Sequence, residues 1–457
     1  MKKHLDNFYF KSGLLNSYKI HNLNRSLIAI GGAGSGKTYS IINPLLGYCI
    51  PRKGVLTFDP KGELTPLINT IAKKHNKPII NFSLDNNYDV INPLTLCENK
   101  SDIIEFSSYF LTGIVGIPQQ DNAKYFFNAA KSVLTGVIVY FRNKKPKLCT
   151  IQHIIALFLS AKPEQITSLL NSDEEAKRAS QVLVSINEDK KLLGSVLSTF
   201  TAFFASLDTP LLFRSLVSHE KLDLPNNPQN QNVINLIFNL SKRDLYTPIY
   251  SSIIGMIIKK MNIPNQAKSA VIIDEFTVLS IPNYSNIPET SRSNGISNCI
   301  AIQDFSQLIS RYGKEEASSI ISNMGSQFLF RTTNPETLEH FQKMLGTREV
   351  ENISNNNSTD LSFKYSQNKG IRDKNILSNE QVIKYKPGQC FAVIADGNKH
   401  FIENKRITGN HYLKNYSNKL LITETSDDER RVYNQVYADI KTLLKRPQIT
   451  TPEKFNI

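Results

Sequence analysis

Cysteine is scarce in this chain and poorly placed for any specialised chemistry. The five residues, Cys49, Cys97, Cys149, Cys299 and Cys390, are scattered and odd in number. No CxxC pair occurs and no His/Cys cluster has metal-ligand spacing, which excludes a zinc ribbon or a disulfide framework. They read as small buried residues of a protein in a reducing compartment. Long apolar runs are missing too. The longest, near Val133–Phe141 and Ile253–Ile258, have core-helix length and fall short of the ~18–20 apolar residues of a membrane-spanning helix. Lys2, Lys3 and His4 are followed by Asp6 and Asn7, so no signal peptide is expected. Acidic residues are outnumbered: 40 Asp and Glu against 54 Lys and Arg, a formal net charge of +14. That excess favours nucleic acid or an anionic membrane surface as partner. Lysine far outnumbers arginine and Asn and Ile abound, so the base composition of the gene is a competing source of the excess. Charge is weak support only.

At 457 residues the chain has room for two domains, at about 100–200 residues each. Short apolar runs bounded by turn residues alternate with helical patterns, the signature of a parallel sheet with crossover helices. The strands expected are Leu27–Ile30, Gly54–Phe58, Pro78–Phe82, Val233–Phe238, Ala270–Ile273, Cys299–Ile302 and Phe328–Phe330. Most are continuously apolar, as strands covered on both faces are. Between about Cys97 and Leu224 the alternation stops. Helical periodicity replaces it, as in Phe126, Ala130, Val133, Leu134, Val137 and Phe141. The expected division is an α/β domain in two parts, 1–96 and 226–413, an all-α insertion at 97–225, and a C-terminal helix in 414–457. The Asn/Ser-rich stretch from Glu351 to Arg372 reads as a mobile loop or an extended hairpin. Cys390–Ala395 and His400–Ile402 read as a hairpin around Asp396-Gly397-Asn398. The last helix is expected to start at Ser426, with Glu429 completing a capping box. Its apolar face is Val432, Val436, Ile440 and Leu443.

The strongest motif is Gly31-Gly32-Ala33-Gly34-Ser35-Gly36-Lys37-Thr38. It matches G-x-x-x-x-G-K-[ST], follows an apolar strand and opens a helical stretch. Its glycines let backbone N–H groups converge on a β-phosphate at the positive end of a helix. Lys37 would reach the β- and γ-phosphates, and the Thr38 hydroxyl would ligate Mg²⁺. Next, Val271-Ile272-Ile273-Asp274-Glu275 ends a strand in two carboxylates, at the edge where open α/β sheets bind ligands. Asp274 would hold Mg²⁺, directly or through water, and Glu275 would polarise the attacking water. Such a pair argues for hydrolysis of ATP. Gln303 closes the following strand, where a glutamine can bond the γ-phosphate or the lytic water, or simply end a strand. Arg292 lies between them in sequence. It reads as a surface salt-bridge arginine or, if it reaches a neighbouring subunit, as an arginine finger.

Taken in order, these motifs resemble the VirD4/TraG family of type IV coupling proteins. Asp59-Pro60-Lys61-Gly62-Glu63 is similar to the family's D-P-K-G-E element, which makes Asp59, Lys61 and Glu63 near-site candidates. Asn92-Pro93-Leu94 is similar to its N-P-L. Asp274-Glu275-Phe276, Arg292, Gly295-Ile296, Ile302-Gln303, Gln307-Leu308, Tyr312-Gly313 and Asn323 resemble the family's most recognisable stretch. Leu345-Gly346 and the polar run before Leu377-Ser378 fit as well. The likeness spans about Ser26 to Gly409 and includes the helical insertion.

The resemblance implies a RecA-like P-loop NTPase domain with an inserted all-α domain, assembled as a homo-hexamer. It implies ATP and Mg²⁺ as cofactors. The partners implied are a relaxase–single-stranded DNA complex and components of a type IV secretion channel. It also implies the motif-III glutamine role for Gln303 and the finger role for Arg292. Family members usually begin with membrane-spanning helices, and here only about 26 residues precede the P-loop strand. The expectation is a cytoplasmic protein, peripheral at the inner membrane, with a membrane-anchor partner or a missing N-terminal part. Three other readings fit less well. The D-P-K-G-E element and the Gln303–Asn323 segment favour the coupling family over an FtsK/HerA-type double-strand translocase or a secretion-assembly ATPase. A non-hydrolysing DNA-binding adaptor is disfavoured by intact Lys37, Thr38, Asp274 and Glu275, and a small-molecule kinase by the long insertion.

Overall fold

The computed structural model describes residues 7–13, 16–86, 88–118, 120–181, 190–357, 365–414, 416 and 429–445. The described chain opens with a hairpin, β1 (Phe8–Ser12) and β2 (Asn16–Ile20). It then forms β3 (Leu27–Ile30), β4 (Gly54–Asp59), β5 (Ile79–Phe82), β6 (Val233–Ile237), β7 (Ser269–Ile273), β8 (Ile296–Ile302) and β9 (Ser326–Leu329). A second hairpin, β10 (Thr347–Asn357) with β11 (Tyr365–Asn375), precedes β12 (Gln389–Val393) and β13 (Phe401–Arg406). Nine of these strands make one sheet in the order β13-β12-β9-β3-β8-β7-β4-β6-β5. Strands β3 to β9 pair in parallel, and β12 and β13 add an antiparallel edge. All seven strands expected from the apolar runs are in this sheet.

Continuous burial along β3, β4, β6, β7, β8 and β9 follows from cover on both faces. Alternate residues feed two separate cores. Ile28, Ile30, Val271, Ile273, Ile300 and Ile302 face one. Leu27, Ala29, Ala270, Ile272, Cys299 and Ala301 face the other, with the P-loop helix and the helix Thr65–Lys74. Strand β8 starts three residues before its apolar run, because buried polar residues extend it. Ser297 donates to Asn24 at 2.7 Å and Asn298 donates to Ser291 at 2.6 Å, so each keeps a hydrogen bond as donor on burial.

The described residues between Phe82 and Val233 form helices and no strand. This helical segment shares the first core and packs on the helix Arg243–Met261. The contact is close at Gly113, where a Cβ would stand 2.4 Å from the Pro248 Cα. Buried Asp102 fixes the same interface, accepting from Lys260 at 2.7 Å and pairing with Lys259 at 3.0 Å. Asn92 pins the entry to the segment: it caps the turn Pro93–Leu96 and donates to the Cys149 carbonyl at 3.0 Å. The last described helix, Glu429–Lys445, returns to this segment through Val436, Ile440 and Leu443, with Tyr433 and Tyr437 donating to Asp208. The proposed cap at Ser426 lies outside the described residues. Cys49, Cys97, Cys299 and Cys390 are buried and Cys149 is half-buried, all as free thiols. Among the described residues no helix is long and apolar enough to cross a membrane, and no group of His, Cys, Asp and Glu is arranged to hold a metal by itself.

Candidate active site

The carboxyl ends of β3, β8, β7 and β4 lie side by side and deliver the P-loop, Gln303, the acidic pair and Asp59 to one edge of the sheet. The P-loop is tied to its neighbours through the backbone. Gly31 N–H donates to the Ile302 carbonyl at 3.2 Å and Gly32 N–H to the Arg331 carbonyl at 2.9 Å. Gly36 must be glycine twice over: its φ is +95°, and a Cβ there would meet the Gly388 nitrogen at 2.5 Å. Beyond Lys37 the helix begins with a π turn, Thr38–Ile42, before the α-helix Asn43–Cys49. Pro44 lacks the N–H that would reach back to Ser40, and the wider turn accommodates the gap.

Lys37 is buried, and its ammonium donates to the carbonyls of Gly31 and, at 3.4 Å, Gly32. Burial lowers its pKa, against the opposing charges of Glu275 and Asp274. The Thr38 hydroxyl donates to Asp274 Oδ2 at 3.0 Å. Asp274 Oδ1 is buried with no partner among the described residues. An acceptor left so, beside a threonine hydroxyl at a P-loop, fits a hard cation with oxygen ligands. Thr38 and Asp274 are therefore the residues that could hold Mg²⁺.

Consecutive strand residues point to opposite faces, yet Asp274 and Glu275 both act on Lys37. Glu275 explains this by leaving the strand in the left-handed region, φ 58° and ψ 58°. For a residue with a Cβ this costs about 1–3 kcal/mol and persists only where the surroundings enforce it. The enforcement is the motif that follows: Phe276 stacks on Tyr312 at 5.1 Å, and the Tyr312 hydroxyl donates to the Leu279 carbonyl at 3.1 Å. Gln303 Nε2 donates to Glu275 Oε2 at 3.3 Å, and Gln307 Nε2 donates to Gln303 Oε1 at 3.2 Å. Gln303 thus sits between P-loop and acidic pair, in contact with Glu275.

Asp274 carries an electrostatic cost. Burial first, and the Glu275 charge second, push its carboxyl up to about 6, against the Thr38 hydrogen bond and Lys37. The folded value lies above the unfolded one, so ionisation destabilises the fold. The cost is absent below about pH 4, grows towards pH 6 and is full above it. Without nucleotide and Mg²⁺, Asp274→Asn is expected to stabilise the protein at pH 7.5 by on the order of 1–3 kcal/mol. Paired thermal melts at pH 7.5 and pH 4 test this. The gain should vanish at the lower pH, and a gain that grew there would refute the assignment.

Asp59 turns out to hold a turn. It is buried and accepts from Leu64 N at 2.9 Å, Thr65 N at 2.9 Å and Thr65 Oγ1 at 2.8 Å, closing Pro60–Glu63 onto the helix Thr65–Lys74. Lys61 and Glu63 are exposed on that turn, and Lys61 is close enough for its charge to act on Lys37. Asp59→Ala removes the acceptor for three buried donors and is expected to cost about 2–4 kcal/mol of stability. Asp59→Asn should recover part of it in denaturant titrations. Full stability of the alanine variant would contradict a capping role.

Arg292 is not brought to this edge. It is exposed on the helix Asn286–Ser293, just before β8 begins, so the length of β8, roughly 20 Å, separates it from Gln303. Its guanidinium has no ion-pair partner among the described residues. Sequence reasoning also missed a cavity of about 430 Å³ beside Gly36, bordered by Tyr39, Gly388, Arg406, Thr408 and Asn410. Asn410 bonds the Tyr39 hydroxyl. Its walls come from segments some 370 residues apart, and no local pattern announces it.

Fold and site together define a RecA-like P-loop NTPase with an all-α segment inserted in its sheet. The model of the family described as type IV secretory system conjugative DNA transfer matches residues 3–407. The chain belongs to that family, in agreement with the likeness to VirD4/TraG coupling proteins. Among solved structures it is similar to the plasmid coupling protein TrwB in complex with a non-hydrolysable ATP analogue, at 16% identity and TM-score 0.63 over 84% of this chain and 85% of that one. TrwB in complex with ADP and Mg²⁺ matches at 15% identity and TM-score 0.62 over 84% of each chain. VirB4 of Thermoanaerobacter pseudethanolicus matches at 13% identity and TM-score 0.50 over 85% and 91%. At these identities the likeness is one of fold. A comparison with curated proteins finds no match.

Proposed function

We propose that this chain is the ATP-hydrolysing coupling protein of a conjugation system, and that it drives single-stranded DNA from a relaxase complex towards a type IV secretion channel. The observation that carries the enzymatic part is the Thr38–Asp274 contact with a second, unpartnered Asp274 oxygen, flanked by Lys37 and by the Glu275–Gln303 pair. In this reading the backbone N–H groups of Gly31, Gly32, Ala33, Gly34, Ser35 and Gly36 cradle the phosphates. Lys37 leaves its carbonyl partners for the β- and γ-phosphates. Thr38 and Asp274 hold Mg²⁺, which when bound neutralises phosphate charge. Glu275 accepts a proton from the attacking water, and Gln303 orients that water or the γ-phosphate. The base of the nucleotide takes the cavity between Tyr39 and Arg406.

Arg292 lies at the opposite end of β8 from its own P-loop, so in this reading it acts in trans in a ring, a homo-hexamer by family likeness. The insertion, 97–225, is the part proposed to meet the transfer complex, with the α/β domain in two parts (1–96, 226–413) and, within the C-terminal part 414–457, the helix Glu429–Lys445 packed on the insertion. The reading places the protein at the inner membrane, peripherally. ATP turnover with single-stranded DNA, double-stranded DNA and no DNA tests the reading. Stimulation by the single strand is expected; stimulation by duplex alone would support a double-strand translocase instead.

A further inference from the structure

A cavity of about 920 Å³ opens beside the active site, with Gln303 and Gln307 on one wall, Arg243 and Arg311 on another, and Gly116 and Ile117 of the helical segment on a third. That volume admits a nucleotide-sized group. The two arginines are arranged unusually. Both donate to one neutral acceptor, the Thr277 carbonyl: Arg243 Nη2 at 2.7 Å and Arg311 Nε at 3.3 Å. Arg311 Nη1 also donates to Ser280 at 3.2 Å. Neither has a carboxylate within ion-pair distance among the described residues, although Asp244 also lines the cavity. Arg243 Nε is buried with no partner. Two guanidiniums on one neutral carbonyl, neither paired with a carboxylate, leave positive charge on the lining of the cavity. Planar forks of this kind suit a phosphoryl group.

The same carbonyl belongs to a residue that reaches the catalytic carboxylate. Thr277 Oγ1 donates to Gln307 Oε1 at 3.3 Å, Gln307 Nε2 to Gln303 Oε1 at 3.2 Å, and Gln303 Nε2 to Glu275 Oε2 at 3.3 Å. Every link donates in one direction, from the arginine wall to Glu275. Thr277 itself is buried, so a shift of its backbone by the arginines moves the chain's first hydroxyl.

We infer that Arg243 and Arg311 receive a phosphodiester group of the moving single strand, and that Thr277, Gln307 and Gln303 convey its presence to Glu275. The inference rests on the ATPase reading above and adds to it the place where the strand is sensed. Thr277, buried and outside the cavity lining, is a positioning residue; Gln307 lines the cavity and links it to Gln303. Inorganic phosphate carries the same oxygens, and the strand is the source favoured here because the cavity also borders the helical segment and far exceeds one phosphate.

The test measures binding of an oligothymidylate and its effect on ATP turnover, with inorganic phosphate alone as a second probe. Arg243→Gln and Arg311→Gln should each bind the strand more weakly, with a salt slope smaller by about 0.7. Each should also lose stimulation. Thr277→Val, nearly isosteric, should bind the strand with the wild-type slope yet lose stimulation. If an arginine variant does not fold, Arg311→Lys serves in its place: it keeps the charge and the slope but loses the fork to Thr277, and with it stimulation. Wild-type slopes in both glutamine variants would overturn the receptor. Full stimulation of Thr277→Val would overturn the relay, and equal stimulation by inorganic phosphate would overturn the strand as ligand. A wild-type protein that hydrolyses ATP and ignores the strand contradicts the coupling reading itself, a separate outcome from a stimulated wild type with indifferent variants.

Discussion

Arg292→Ala is expected to bind ATP normally and to hydrolyse it on the order of 10³–10⁵ times more slowly. The γ-phosphoryl group gathers charge in the transition state, and a cation opposite Lys37 stabilises it. Among the described residues, the three arginines that could be considered stand elsewhere. Arg292 lies at the far end of β8, and Arg311 is engaged with Thr277 and Ser280. Arg331 follows β9 beside its own P-loop, where its carbonyl accepts from Gly32. A neighbouring subunit that presents Arg292 supplies the charge. Mixing provides the discriminating experiment. Arg292→Ala keeps an intact Lys37 site, and Lys37→Ala keeps an intact Arg292. Each alone should be inactive, and together they should recover activity wherever the two good halves meet. Co-assembly without recovery would count against Arg292 and turn attention to Arg331.

Glu275→Gln is expected to retain nucleotide affinity and to lower turnover by about 10²–10⁴-fold, the usual contribution of a positioned general base. The amide has the shape of the carboxylate and still accepts the Gln303 hydrogen bond, but takes no proton from water. The left-handed backbone at Glu275 is set by the Phe276–Tyr312 scaffold and should survive the change. Single-turnover measurements with bound ATP separate the two steps. Wild-type hydrolysis in Glu275→Gln would remove Glu275 from the mechanism and leave its strained backbone unexplained.

Much of the fold was legible because buried parallel strands write themselves as apolar runs. The P-loop and the acidic pair were legible for a related reason: phosphate chemistry demands particular residues at particular spacing. Strand order was not, since nothing in β4 says that β7 and β6 will flank it. The hairpin of β1 and β2 escaped because Tyr9, Lys11, Ser17 and Lys19 break its apolar pattern. The D-P-K-G-E element was read as near-site; Asp59 reaches that edge, where its charge acts on Asp274, and its capping of the turn is visible only once it meets Leu64 and Thr65. The polar stretch 351–372 falls mostly within the β10–β11 hairpin, the extended alternative of the two considered. The arginine cavity combines residues from three distant segments, so only the folded chain shows it.

The most direct test of the central claim, an ATPase ring acting on single-stranded DNA, is ATP turnover per subunit measured against protein concentration, with and without an oligothymidylate. If the active site is completed between subunits, turnover per subunit rises with concentration, and the strand shifts the rise to lower concentration by assembling the ring. Turnover that is independent of both concentration and strand would contradict the account.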